Sequence, residues 1–285
     1  MPERDGYLPG VPCWVDTSQP DPEAAVAFYG GLFGWDFRNV MPPDAPGGYF
    51  IAQLRGGSVA AVSPLAEAAP PRAVWNTYVA VDSADDATEK ARAAGGQVVA
   101  GPFDVMDAGR MAVLSDPEGA VFCVWQAGRH IGAQIVNEPG SLNFNGLNTR
   151  DADAAASFYG AVFGWEVLSL GAGAAWRLPG YGEFLERSDP ALRARMAEAG
   201  APPGFADVVA TLNPITEEEV APHWSVTFAV DDADATAETA ARLGGTVVMP
   251  PFDAPWVRMT VIADPQGATF IASKFAPENR DVGAA

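Results

Sequence analysis

Side chains able to do acid–base, nucleophilic or metal chemistry are sparse in this chain of 285 residues, which holds two histidines (His130 and His223) and two cysteines (Cys13 and Cys123). A thiol becomes a nucleophile only when a base or another pKa-lowering neighbour makes it a thiolate. No histidine lies near Cys123 in sequence, so it reads as a small buried hydrophobe. Two cysteines supply neither a disulfide framework nor a four-thiolate zinc site, and both read as reduced core thiols. Asp104 and Asp253 recur inside identical Pro-Phe-Asp motifs, and Arg110 and Arg258 inside matching Arg-Met motifs. Such repetition points to a turn role before the next hairpin rather than to a catalytic carboxylate pair. The glycine pairs at 95–96 and 244–245 follow helical segments instead of opening them, which makes them helix stops and not phosphate cradles. Aromatic side chains are plentiful: the chain has eight tryptophans. Trp14, Trp75, Trp125, Trp176, Trp224 and Trp256 all fall in or beside strand-like segments.

Charge narrows the partners. Acidic residues number 36 against 17 basic ones, for a net charge of −19. That field repels phosphate backbones and anionic lipids, so neither nucleic acid nor a membrane surface is an expected partner. No apolar run reaches the roughly 20 residues of a membrane-spanning helix. The opening MPERDGYLPG has acidic residues and no apolar stretch of a signal peptide, so cytoplasmic residence is the expectation. With 48% hydrophobic and 19% charged residues the chain is globular, and it is long enough for two domains.

The elements that would hold these residues occur in duplicate. FYGGLFGW at 28–35 returns as FYGAVFGW at 158–165, each after an acidic, alanine-rich segment. YVAVDSADDATEKARAAGGQVV (78–99) returns as TFAVDDADATAETAARLGGTVV (227–248), and RMAVLSDPEGAVF (110–122) as RMTVIADPQGATF (258–270). The offset is 130 residues at the first block and 148–149 at the later ones, which places an insertion of about 19 residues within 181–206 of the second half. There ALRARMAEAG has helical composition and a glycine stop. Two homologous domains follow, 8–128 and 140–276, joined by a segment with a Pro-Gly break.

Each half divides again. PCWVDTS is a strand. Asp21 is placed to cap a helix opened by Pro22, apolar residues recur through it at helical spacing, and Gly34 stops it. Two more strands, YFIAQL and SVAAV, follow. VWNTYVAV, a helix over 84–94, QVVAGPF, RMAVLS and AVFCVWQA repeat the plan, with Asp-Pro-Glu-Gly as a type I hairpin turn. The map is βαβββ four times over: an α+β fold with helices on one face of curved mixed sheets in which hairpins dominate.

The acidic cap before FYG-LFGW, the VDD block, the GG-VV-PFD block and the RMAVL-DP-G-A-F block resemble the vicinal-oxygen-chelate superfamily, the glyoxalase/bleomycin-resistance/dioxygenase group. Tandem "glyoxalase-like" or "hydroxylase" bacterial members are the nearest subset. The resemblance spans almost the whole chain and implies four βαβββ modules in two glyoxalase-like domains. One fold hosting many chemistries leaves function to the site. In metal-using relatives the ligands are His, Gln or Glu on the concave face of the sheet, an open set suited to a divalent ion. Carried over one position at a time, those places hold Trp14, Asn76 and Cys123 in the first half and Phe144, Ser225 and Ile271 in the second, with Gln53 and Arg177 near a mid-strand position. None of the six is a histidine or carboxylate. The expectation is therefore a cavity without metal or other cofactor.

Aromatics take the place of ligands. A concave surface lined by Trp14, Trp125, Phe144, Trp176, Trp224 and Trp256, with Cys123 and Ser225 at ligand positions and Gln53, Asn76, Arg177 and His223 as orienting polar groups, suits a planar apolar or aromatic molecule. The leading expectation is a binding protein for such a molecule, a secondary metabolite or antibiotic, acting in sequestration or as a biosynthetic helper. A lyase, isomerase or hydroxylase-type enzyme, with His223 and Arg177 as its acid–base groups, is the second reading. A scaffold with vestigial cavities is the third. The fused halves suit a monomer or a homodimer.

Overall fold

The computed structural model describes residues 3–42, 47–65, 72–170 and 173–282. In the first half, β1 (Pro12–Gln19), α1 (Pro22–Phe33), β2 (Asp36–Asn39), β3 (Phe50–Leu54) and β4 (Gly57–Pro64) make one module. A second consists of β5 (Val74–Ala80), α2 (Ala84–Ala93), β6 (Gln97–Val105), β7 (Gly109–Ser115) and β8 (Val121–Ala127). Together they form one eight-stranded sheet in the order β2-β3-β4-β1-β5-β8-β7-β6. The β1–β4 and β5–β8 pairs are parallel; the others are antiparallel, including the β1–β5 seam between modules.

The second half repeats this with β9 (Leu142–Thr149), α3 (Ala152–Phe163), β10 (Glu166–Ser169), β11 (Ala174–Arg177), β12 (Val208–Pro214), β13 (His223–Ala229), α6 (Ala233–Arg242), β14 (Thr246–Ala254), β15 (Val257–Ala263) and β16 (Thr269–Phe275). Its sheet has the corresponding order. Between β11 and β12, the insertion folds as α4 (Tyr181–Glu186), α5 (Leu192–Glu198) and a 3-10 turn over Phe205–Asp207. Among the described residues no helix is long and apolar enough to cross a membrane.

The local signals act as their chemistry requires. The Asp21 carboxylate accepts from the Ala24 amide at 3.0 Å, satisfying a free donor at the start of α1, and Gly34 ends that helix at φ +69°. Asp151 and Gly164 do the same for α3. The Asp116 carboxylate accepts from the amides of Glu118 and Ala120, and Gly119 has φ +97°, closing the β7–β8 turn. The Pro-Phe-Asp aspartates have a further role. Arg110 binds Asp104 and Asp85 together, and Arg258 binds Asp253 and Asp234, tying each hairpin to the first turn of the helix behind it. These pairs hold the Asp85, Asp234 and Asp253 carboxyls below the usual range.

Packing joins the halves more closely than the sequence blocks imply. Helices α1, α2, α3 and α6 lie between the two sheets, and each helix-side core draws on both repeats. One combines Val15, Phe28, Tyr29, Trp35 and Trp75 with Val226, Phe228, Ile262 and Phe270. The other combines Leu114, Phe122 and Val124 with Phe158, Tyr159, Trp165, Trp176 and Trp224. Burying so many aromatic rings removes large apolar areas from water, the main driving term for the fold. Polar clasps cross the same boundary. The Trp75 indole donates to the Tyr29 hydroxyl at 3.0 Å, and Tyr29 donates to Asp264 at 2.8 Å. On the other side, Trp224 donates to Tyr159 and Tyr159 to Asp116, at 3.0 and 3.1 Å. Trp35 and Trp165, the last residues of the FGW motifs, donate to the carbonyls of Gly140 and Gly10, each at 2.7 Å. The repeated motifs are thus the contacts by which each half's helix docks onto the other half.

Candidate ligand site in the cups of the sheets

With the helices inside, the opposite faces of the two sheets form outward cups. Alternation along the strands decides what lines them. In the first half it brings Trp14 and Asp16 of β1, Asn76 and Tyr78 of β5, and Cys123 and Trp125 of β8 to one face, and register sets Asp16 opposite Asn76 and Tyr78 beside Cys123.

This first cup is filled by its own side chains. Asp16 is 3% exposed and accepts from Asn76 Nδ2 at 2.8 Å, Tyr78 Oη at 2.8 Å and Tyr49 Oη at 3.0 Å. The Tyr49 hydroxyl accepts in turn from the Trp14 indole at 2.9 Å. From the segment between the halves, His130 sets its ring edge-on against Trp14, 4.4 Å between centroids, and its carbonyl accepts from the Trp125 indole at 2.8 Å. Desolvation sets the electrostatics. It pushes the Asp16 carboxyl up against the pull of its three donors, and lowers the His130 imidazole to about 4. The Cys13 and Cys123 thiols are raised strongly by burial, which leaves both poor nucleophiles.

In the second cup the same rows carry smaller or different groups. Phe144 stands at the Trp14 position, Gly146 at Asp16, Ser225 at Asn76, Thr227 at Tyr78 and Ile271 at Cys123, with Thr227 paired to both Phe144 and Ile271 and Ser225 paired to Gly146. Phe144, Ser225, Thr227 and Ile271 are half-buried, whereas Trp14, Tyr78 and Cys123 are buried. The floor is small and polar. Ser225 Oγ donates to the Gly146 carbonyl at 3.2 Å and accepts from Asn148 Nδ2 at 3.1 Å, and Asn213 Nδ2 donates to Thr211 Oγ1 at 3.2 Å. A Cβ at Gly146 would lie 2.5–2.9 Å from polar atoms of Thr211, Asn213 and Ser225, so this close approach requires glycine.

The insertion spans this cup's walls. Gly204 lies beside Arg177 on β11, and a Cβ on Gly200 would come within 3.2 Å of Trp256 Cη2, in the β14–β15 turn. A crevice of about 100 Å³ opens where Phe144 meets the insertion and the N-terminal segment, lined by Tyr7, Tyr181, Met196 and Phe205 along with Arg4, Asn143 and Asn145.

The expected site residues are therefore divided. Trp14, Asn76, Cys123 and Trp125 meet in the first cup; Phe144 and Ser225 share the second. Arg177 pairs with Glu166 at the cup wall while its Nε is buried without a partner. His223 is exposed, with Nδ1 2.8 Å from the Ala221 carbonyl oxygen. Gln53 donates to Gly56 O across its own hairpin turn at 3.1 Å. Trp256 stacks on Phe275 at the hairpin tip. Two tryptophans correct the expectation: Trp176 and Trp224, like Trp75, face the helices and lie in the shared cores. Each precedes or follows a cup-facing residue, so alternation turns it away. Sequence reasoning missed Asp16, Tyr49 and Tyr78. Asp16 was open to detection, because it sits two residues from Trp14 on the same face.

The ligand rows of both cups are poor in metal donors. Among the described residues no group of three or more His, Cys, Asp or Glu side chains is placed to hold an ion. Asp16, a carboxylate near the first ligand row, already accepts from three neutral donors, and the second row offers Phe144, Ser225 and Ile271.

Residues 14–124 and 141–271 both match the model of the Glyoxalase/Bleomycin resistance protein/Dioxygenase superfamily. The chain belongs to this superfamily. It is 42% identical over 286 residues to CFP32 of Mycobacterium tuberculosis, a protein with a provisional glyoxylase name, covering 98% of this chain and 100% of that one. It is 37% identical over 277 residues to the anthracycline biosynthesis protein DnrV of Streptomyces peucetius, covering 93% of each. Among solved structures, the Mn(II)-bound glyoxalase from Novosphingobium aromaticivorans matches with a TM-score of 0.59 and 16% identity, covering 93% of this chain and 82% of that one. The 2,3-dioxygenase LapB from Pseudomonas sp. KL28 matches with a TM-score of 0.59 and 12% identity, over 94% and 93%. The superfamily's tandem fold is thus retained at these low identities.

Proposed function

We propose that this superfamily member binds a small, planar, largely apolar organic molecule in its second half, in the open cup, and does so without a metal. The carrying observation is the difference between two copies of one scaffold. The first cup is closed by Trp14, Tyr49, Tyr78 and His130 around Asp16, while Gly146, Phe144 and Thr227 leave the second accessible. An apolar wall with a few fixed polar groups is the usual form of a small-molecule site. Similarity to proteins named for anthracycline biosynthesis, 37% and 35% identical over 93% of the chain, supports a helper role in a biosynthetic sequence. Anthracyclines are flat, fused-ring aromatic molecules, the shape an aromatic wall receives.

The test is a titration of tryptophan fluorescence with a soluble anthracycline, before and after dialysis against EDTA, alongside elemental analysis. Saturable quenching with the same Kd in both preparations supports the reading. A stoichiometric transition metal whose removal abolishes binding overturns it.

A further inference from the structure

Among the described residues the crevice beside Phe144 has a single charged lining residue, Arg4. Its guanidinium carbon lies 5.9 Å from the centroid of the Tyr7 ring, and its Nη2 donates to the Tyr181 hydroxyl at 3.2 Å. Tyr7 is itself fixed by a 2.6 Å bond to the Ala133 carbonyl, and Tyr181 packs into a shared core. The arginine is therefore held from two sides by rings that cannot neutralise it.

Many of the chain's arginines are held by carboxylates, although among the described residues Arg38, Arg150, Arg187 and Arg242, like Arg4, are not. Arg55, Arg177 and Arg193 each have one, and Arg110 and Arg258 have two. Among the described residues none pairs with Arg4. Guanidinium keeps its proton at any physiological pH and presents a planar fork of donors that matches a carboxylate. Resting on a ring reduces the ordering cost of using that fork.

We infer that the crevice takes an aromatic acid, its ring against Phe144, Tyr181 and Phe205 and its carboxylate on Arg4. This rests on the reading that the second half binds planar organic molecules, and it assigns the crevice to an anionic one. The surrounding negative field makes Arg4 the reason an anion binds here at all, and rising salt weakens the attraction at this half-buried site.

The probes are 2-naphthoate and its neutral counterpart 2-naphthamide, titrated calorimetrically into the full chain at low salt. Wild type is expected to bind the acid about tenfold more tightly, equivalent to about 1.4 kcal/mol. Arg4→Gln removes that advantage and leaves the amide within about twofold; Arg4→Lys restores part of it. Circular dichroism confirms that both variants are folded. Equal affinities in wild type, or an advantage that survives Arg4→Gln, overturn the inference while amide binding leaves the wider reading standing. Binding of neither probe also overturns it, and the wider reading then depends on the anthracycline titration alone.

Discussion

Tyr29 donates its hydroxyl proton to Asp264, 235 residues later in the chain, across 2.8 Å. Both groups are buried, and Gln19 Nε2 donates to the same carboxylate oxygen at 2.6 Å. The bond spans the two repeats, and Tyr159 with Asp116 makes its counterpart. A buried donor or acceptor stripped of its partner costs about 1–3 kcal/mol. Tyr29→Phe is expected to lower the unfolding free energy by that amount, measured by urea denaturation, and Tyr29→Phe with Asp264→Asn to cost less than the two single losses added together. Strict additivity would mean that the contact carries no coupling between the halves.

The cores predict how the halves behave apart. Residues 1–139 alone expose the apolar surfaces that Phe228, Ile262 and Phe270 cover in the whole chain. Sedimentation of that fragment should show self-association or aggregation. A folded, monomeric fragment with a cooperative melt would contradict the shared-core description.

Asp16 gives a pH dependence with a definite sign. Burial raises its carboxyl in the folded protein, so folding favours the protonated acid. The stability this provides is full below the unfolded carboxylate range, about 3.9, and is lost as pH climbs through the folded pKa. Asp16→Asn is neutral at every pH. Wild type should therefore lose stability relative to Asp16→Asn as pH rises above about 4. Parallel stability curves would remove the buried carboxyl from the account.

His130 acts in the opposite sense. Burial against Trp14 and Trp125 lowers its imidazole to about 4, below the ordinary value of about 6.5. Its contribution is complete above the unfolded value and is lost as pH falls from about 6.5 towards 4. In NMR the His130 ring, identified by its absence from His130→Phe, should remain neutral until pH nears 4. Titration near the ordinary value would place the ring outside the first cup.

Equivalent positions in the two cups should respond differently to truncation. Trp14 is 2% exposed and bonded to Tyr49, so Trp14→Ala is expected to cost about 3–5 kcal/mol of stability. Phe144→Ala, at a half-buried cup position, should cost about 1 kcal/mol or less and instead weaken the anthracycline. The reverse pattern, measured by denaturation and fluorescence titration, would exchange the roles of the cups.

The sequence made the scaffold readable because the constraints were local and repeated. Asp21 and Asp151 cap helices, Gly34 and Gly164 end them, and the Asp-Pro turns close hairpins. The helical composition of the insertion was readable for the same reason. What the insertion covers was not, since nothing near Tyr181 or Met196 in sequence encodes Tyr7 and Phe144 as neighbours. The cup residues fell between these cases. Replacement of a ligand position singled out Trp14 and Phe144, and strand register puts them at equivalent places in the two sheets. Composition drew Trp176 and Trp224 to the concave face, although strand alternation assigns them to the core. Asp16 escaped because it occupies no metal-ligand position, and its three donors come from β5 and from Tyr49, beside β3.

The central claim is that the second half holds the ligand. It is tested most directly by a crystal structure of the full chain grown with an anthracycline. The expected result is density for the ring system against Phe144, above Gly146 and Ser225, with Trp14, Tyr49 and His130 still closed over Asp16. Density in the first cup, with Tyr49 or His130 displaced and the second cup empty, would contradict it.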